Sequence, residues 1–279
     1  MKKCTQAQAG FTLIEAIMVM TITAVLAAGV AVFLRKPIDG YMDLARRTEL
    51  SDIADTAVRR ISRDLHLALP NSVRADSGPL CLEFIPTING GRYRADVDGA
   101  GGGNVFSTAT LTNQFDVLGQ LSAAPAVNDR VVVYNLGIPG ADAYRGDNIA
   151  TIDAATTTLI HWTPSSFQFP FTSPGNRFHI IPAAEPTVTY VCSGVGSSGG
   201  NGSGVLYRYT GYAPSPAQDA CPATPPAGTP KLAQNLSACS FTYVNGVAER
   251  SGLVSIRLAI TRQNETVNLY HEVHVNNVP

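Results

Sequence analysis

The sequence predicts an α+β protein, a long N-terminal helix followed by a β-rich head. Three observations carry this. An almost unbroken apolar run extends from Phe11 to Leu34. Between Tyr41 and Leu69 apolar residues recur at steps of three and four, the period of a helix with one buried face. From Leu80 onward the period changes to two, in β-branched and aromatic runs separated by Gly, Asn and Pro. The chain therefore divides into a polar leader at 1–10, a helical region at 11–70 and a β-rich globular head at 71–279. Within the helical region, 11–34 is apolar throughout and 38–69 is amphipathic.

The first element is long enough to cross a bilayer as a helix, which takes about 20 apolar residues. Thr12, Thr21 and Thr23 are mild exceptions to its composition and Glu15 is a severe one. A carboxylate at that depth costs about 2.5–3.5 kcal/mol on insertion scales. A simple anchor would carry Leu there, so Glu15 calls for a partner. The flanking charges do not set an orientation, because Lys2 and Lys3 precede the run while Arg35 and Lys36 follow it.

The stretch Ala9-Gly10-Phe11-Thr12-Leu13-Ile14-Glu15, followed by the apolar run, resembles the cleavage site of type IV prepilins and type II secretion pseudopilins. An ordinary secretory signal would place Glu15 inside its apolar core, and a lipoprotein signal would place its Cys after the run, whereas Cys4 precedes it. A plain signal anchor stays open. The resemblance implies cleavage between Gly10 and Phe11 by a prepilin peptidase, N-methylation of Phe11, and retention of Glu15. It also implies a pilin-like fold, in which the N-terminal helix packs on an antiparallel sheet. The implied location is the bacterial inner membrane, single-pass with a periplasmic head, with the pilus tip or cell surface after assembly. The implied partners are other minor and major pilins, the inner-membrane assembly platform, and membrane lipid before assembly. In a filament, the amine of a neighbour's Phe11 would pair with Glu15. A buried carboxylate is costly alone and relieved by pairing, so the pair would select one axial register.

The second helical element carries Leu50, Ile53, Ala57, Ile61 and Leu65 on one stripe, widened by Ala54 and Val58. Arg46, Arg47, Glu49, Asp55, Arg59, Arg60 and Arg63 lie mostly off it, which reads as a solvated face. Pro37 is expected to kink or briefly break the helix, and Pro70-Asn71 to stop it. Strands are expected at Leu80–Ile85, Arg130–Leu136, Thr156–Trp162, Thr187–Cys192, Leu206–Tyr209, Ser240–Val244, Leu253–Thr261 and Val267–Val275. The last two form a hairpin about residues 262–265. Long loops at 96–104, 194–204 and 212–230 stand out, since such lengths are uncommon unless functional or mobile.

The 279 residues carry 15% charged side chains and a net charge of −1, which does not advertise nucleic-acid binding. Cys81, Cys192, Cys221 and Cys239 follow the leader, an even number that suggests two disulfides in an exported chain. Cys221 is expected to pair with Cys192 or Cys239, between which it lies in sequence. No spacing is of the C-x2-C kind, so a zinc site is not expected, and no other metal and no cofactor is expected either.

Three further motifs point to chemistry only superficially. Gly194-Val195-Gly196-Ser197-Ser198-Gly199 matches G-x-G-x-x-G, but the glycines that follow leave no helix N-terminus to hold a pyrophosphate. Asp96-Val97-Asp98-Gly99 lacks the third acid and the distal Glu of a calcium loop. His271-Glu272-Val273-His274 is one residue short of a zinc motif, and in a strand its histidines point to opposite faces. His66, His161 and His179 stand alone, with no visible catalytic constellation, so no enzyme is expected.

Overall fold

The computed structural model describes residues 10–75, 78–217, 221, 225–245 and 251–279, and of 34–36 and 39 the backbone alone. Residues 1–49 and 50–279 form two separate units. A single helix, α1, runs from Leu13 to His66. It continues through Pro37 rather than breaking there. A proline costs an interior helix about 3 kcal/mol, and the helical turns on both sides outweigh that here. The helix also ends three residues before Leu69. Its last turn tightens, with Leu67 and Ala68 N–H bonded to the carbonyls of Asp64 and Leu65, and Leu69 N–H turns away to the Ile85 carbonyl at 2.8 Å.

The head contains β1 (Cys81–Phe84), β2 (Asn89–Tyr93), β3 (Gln114–Leu118), β4 (Arg130–Val133), β5 (Ile149–Ala155), β6 (Leu159–Thr163) and β7 (Arg177–Ile181). It continues with β8 (Val188–Ser193), β9 (Ser197–Ser198), β10 (Asn201–Gly202), β11 (Gly204–Thr210), β12 (Lys231–Val244), β13 (Gly252–Arg262) and β14 (Glu265–Val275). The expected single sheet is a six-stranded sheet in the order β1-β8-β11-β12-β13-β14, joined by a second structure. That structure is a closed barrel in the order β2-β3-β6-β5-β4-β7. Every ladder is antiparallel. The barrel lies wholly between β1 and β8, which pair directly from Phe84↔Val188 to Cys81↔Val191. It is an insertion into one antiparallel pair.

The stripe on α1 packs as its period requires. Leu50, Ala54, Ala57, Ile61 and Leu65 are buried with Leu82, Phe84, Tyr190, Leu206, Phe241 and Ile256 from the sheet. Each fully buried Leu, Ile or Phe contributes about 1.5–3 kcal/mol. A polar clamp adds direction. Arg208 on β11 donates to Asp64 of α1 at 2.9 Å and to Glu185 at 2.8 Å, and Tyr190 donates to Asp64 at 2.8 Å. The Arg208 guanidinium holds the Glu185 carboxyl below the usual range.

The barrel core is aromatic. Phe115 lies 5.0 Å from Phe178 and 5.7 Å from Trp162, ring centre to ring centre, and Phe106 and Tyr93 complete the cluster. A third cluster of Leu69, Ile85, Val132, Ala143, Tyr144 and Ile181 joins the barrel's outer face to the segments that follow α1 and β1. Buried polar contacts support it. Asn135 donates to the Pro70 carbonyl at 2.7 Å, and Tyr144 to the Ser72 carbonyl at 2.9 Å.

The disulfides are Cys81–Cys221 and Cys192–Cys239, so the expected partner of Cys221 is corrected. Nearness in sequence misleads because the Pro79-Leu80 segment draws β8 and β12 together. Leu80 accepts from Cys192 N–H at 2.9 Å, and Pro79 from Phe241 N–H at 2.7 Å. That sets Cys192 against Cys239 and leaves Cys81 for Cys221. The loop carrying Cys221 is pinned a second time. Arg74, stacked 3.6 Å over Tyr144, donates to the carbonyls of Ser215 and Pro216 and to buried Glu83 at 2.6 Å. Burial raises the Glu83 carboxyl above its ordinary value, against the opposing pull of Arg74.

Alkylation without reductant should modify none of the four cysteines of the folded chain, and a non-reducing digest should yield the 81–221 and 192–239 pairs. Replacing Cys81 and Cys221 together by Ser should lower unfolding free energy by about 2–4 kcal/mol in urea titrations. A pairing of Cys221 with Cys192 in the digest would contradict the structure.

His179 on β7 supplies a pH expectation. Its Nε2 is buried with no hydrogen-bond partner, and its ring lies beside Gly90. Burial first, and Arg177 second, lower its pKa from 6.5 to about 4. The folded head therefore binds this proton less readily than the unfolded chain. His179's contribution is complete above about pH 6.5 and is lost as pH falls toward 4, by roughly 3 kcal/mol in all. The urea midpoint should drop over that interval, and His179→Leu should flatten the drop. An unchanged slope in that variant would assign the acid sensitivity elsewhere.

Candidate membrane and assembly site

The residues singled out by the sequence stand at the start of α1. Phe11 is 82% exposed, and Thr12 caps the helix. The Thr12 hydroxyl oxygen accepts from Glu15 N–H at 3.4 Å, and its carbonyl from Ala16 N–H at 3.1 Å. Thr12 and Glu15 thus have the S/T-x-x-E spacing of a capping box. The bond that is present runs from the Glu15 backbone to Thr12, not from the Glu15 carboxylate. A carboxylate in a first turn is favoured by the positive end of the helix dipole.

Leu13–Phe33 is long and apolar enough to cross a membrane, and none of it is buried within the protein. Ile14, Ile17, Met20, Val25, Leu26 and Phe33 are all exposed. The two inner threonines cost little in such a setting. Thr21 donates to the Met18 carbonyl at 2.9 Å and Thr23 to the Val19 carbonyl at 2.7 Å, so neither hydroxyl needs water. Glu15 has no such relief. It is exposed on the helix, and among the described residues no cation pairs with it. Gly10 begins the described chain, and Lys2, Lys3 and Cys4 lie outside the described residues.

The other motifs resolve into local structure. The G-x-G-x-x-G stretch forms the β9–β10 hairpin, turning at Gly199 and Gly200, both with positive φ. Its tip props the β13–β14 turn, where Asn264 N–H bonds the Gly200 carbonyl at 2.8 Å and Gln263 N–H bonds Asn201 at 3.0 Å. The Asp98 carboxylate accepts from Gly102 N–H at 2.7 Å and from Ala100 N–H at 3.0 Å. Those two bonds lower its pKa and account for the shape of the 96–104 loop. His271 and His274 both lie on β14, three residues apart and so on opposite faces. His161 sits between Asp153 and Asn113 on the barrel, where it holds the Asp153 carboxyl below its usual range. Among the described residues no group of three or more His, Cys, Asp or Glu is placed to hold a metal ion.

Residues 5–31 match the family described as the prokaryotic N-terminal methylation motif. No curated protein and no solved structure matches the chain. The chain thus carries a type IV pilin-like prepilin signal, and that signal with its exposed apolar helix fits a single-pass, membrane-anchored protein.

Proposed function

We propose that the chain is a minor type IV pilin that primes or caps the assembly of a pilus of the mannose-sensitive haemagglutinin type. The observation that carries this is an apolar helix joined to a methylation motif, bare over its whole length and bearing one unpaired acid. Such a surface requires either lipid or other helices. Lipid covers it before assembly and the helices of neighbouring pilins cover it afterwards, with Glu15 selecting the axial offset through the N-methylated amine of a neighbour's Phe11. In this reading the prepilin peptidase cuts after Gly10, and the head lies on the periplasmic side.

Several segments support the finer assignment by resemblance. Residues 59–65 with 69–74, residues 136–142 and residues 271–279 are similar to MshO, a minor pilin-like protein of that pilus system. Many major pilins carry a proline within the apolar run, and here none precedes Pro37. The inserted barrel also makes the head large for a subunit repeated along a filament. The barrel favours a second reading as well, a tip subunit whose head binds a surface. A minor pseudopilin of a type II secretion system shares the anchor, and the genes beside this one would separate the two.

Gly10→Val should leave a longer, unmethylated form in the membrane, because a β-branched side chain blocks a site that needs a small residue. Mass spectrometry finding the normal mature N-terminus in that variant would remove the cleavage assignment.

Glu15→Leu should be retained in the bilayer at least as well as the parent, since it removes a cost of about 2.5–3.5 kcal/mol. It should nevertheless lower the number of surface pili in cells lacking the unaltered copy, while cleavage and head folding stay unchanged. Normal pilus number with the variant incorporated would show that Glu15 does not set the register. Normal piliation with loss of adhesion in a deletion strain would favour the tip-binding reading.

A further inference from the structure

The head's six-stranded sheet has two edges with different fates. On the β1 edge, Arg74 and Glu83 exchange backbone hydrogen bonds at 2.9 Å each, and Leu69 bonds Ile85, so the segment after α1 covers the strand. On the β14 edge no strand pairs among the described residues. β14 runs eleven residues and keeps unbroken register with β13 from Arg262↔Glu265 to Gly252↔Val275. It carries no proline, no lysine and no bulge, three devices that keep an exposed edge from pairing with another chain, and its two acids are Glu265 at the start of the strand and Glu272.

Beside this edge a groove of about 600 Å³ runs between β14 and the second half of α1. Its floor is apolar, formed by Val58, Leu67 and Leu269, with Leu67 53% exposed. Its rim is basic. Arg59, Arg63, His66 and His271 line it, against a single acid, Asp55, which Arg59 already engages at 2.6 Å. Arg63 shows no acid within ion-pair distance among the described residues. Glu272 belongs to the opposite face of the strand, where it accepts from Tyr270. A strand added to β14 would present alternate side chains to this groove. Apolar residues suit the floor and acidic residues suit the rim.

We propose that the β14 edge and its groove form a docking surface for an extended strand of a different protein chain, alternating in polarity and acidic on its groove-facing side. A second copy of β14 is a poor occupant. Its groove-facing face carries one acid, Glu265 at the very start of the strand, and otherwise Val267, Leu269, His271, Val273 and Val275, so it offers a histidine and apolar groups where the rim calls for alternating acids. Main-chain bonds along the edge supply affinity, and the basic rim selects the partner. The inference stands on residues 50–279 alone, so it holds or fails independently of what covers the apolar stretch Leu13–Phe33.

The test uses the full chain in detergent micelles and three synthetic ten-residue peptides. The first has Thr on one face and alternating Val and Glu on the other, the second replaces Glu by Lys, and the third is the first with a central proline. The Glu peptide should bind and slow amide hydrogen exchange along β14. The Lys peptide should bind about tenfold more weakly, and the proline peptide should give no protection. Arg63→Glu combined with His271→Glu should reverse the Glu/Lys preference, and Tyr270→Ala, on the opposite face, should leave it unchanged. Arg63 and His271 are exposed, and far-UV circular dichroism checks that the double variant is folded. Equal binding of the Glu and Lys peptides, protection elsewhere than β14, or no binding at all would overturn the proposal. So would self-association of the chain that protects β14 without peptide.

Discussion

The six-stranded sheet depends on one apolar contact, the stripe of α1 against one of its faces. Ala54 and Ala57 let helix and sheet approach closely, and Leu50, Ile61 and Leu65 fill the space around them. Without the helix, the sheet would expose Leu82, Phe84, Leu206, Phe241 and Ile256 together, a contiguous apolar patch too costly to leave facing water. The same requirement applies to Leu13–Phe33, where the protein itself offers no cover. The periodic stripe is buried by its own chain and the uniform apolar run is not. This contrast in one helix is why the first is read as a core and the second as an anchor.

The second constraint is the disposal of strand edges. A sheet edge displays unpaired N–H and C=O groups, and each must be covered, closed or guarded. The barrel closes on itself through β2 and β7 and has no edge. The β1 edge is covered by the segment leaving α1, whose Ser72 also donates to the Leu69 carbonyl and accepts from Ile85 N–H. The β14 edge is neither covered nor closed among the described residues, its only acids are Glu265 and Glu272, and it is also where the basic groove opens. A bare edge beside a groove with more base than acid is hard to account for as packing, because neither feature stabilises the isolated head.

Much of this was legible in the sequence. The helical stripe, the strands β8, β11, β13 and β14, and the turn between the last two follow from period and turn residues. The barrel was not. β4 and β6 were visible as isolated runs, but β3 and β7 are short strands whose outward residues include Asp116, Arg177 and His179. β2 holds Gly90-Gly91, a pair that reads as a turn. In the structure these glycines are demanded by close packing, since a side chain at Gly90 would stand 2.9 Å from the Phe178 carbonyl oxygen and one at Gly91 3.2 Å from its ring. Closure of a barrel is a long-range property, and no local pattern states which strands will meet. Cysteine pairing failed for the same reason, because the approach of β8 to β12 depends on a segment about 110 residues upstream of Cys192. At the candidate site the methylation motif was legible, and the Thr12 cap is spelled in the same residues.

The insertion raises a topological question that the ladders answer. β1 and β8 are neighbours in the sheet, yet the barrel stands between them in sequence. Pairing them requires closing a long loop, and a flexible loop of that length would carry an entropic cost that rises slowly with length. The barrel removes most of it. Its first and last strands, β2 and β7, pair with each other from Asn89↔Ile180 to Arg92↔Arg177, so the chain enters and leaves the barrel side by side. Ile88 N–H bonds the Ile180 carbonyl at 2.9 Å and extends the ladder toward β1. Once the barrel has closed, Ile85 and Ile181 meet in the junction cluster, and β1 and β8 are already positioned to pair. Barrel closure and sheet assembly therefore reinforce one another. Both disulfides can lie in the sheet and its attached loop, because the aromatic barrel holds its own ends together without one.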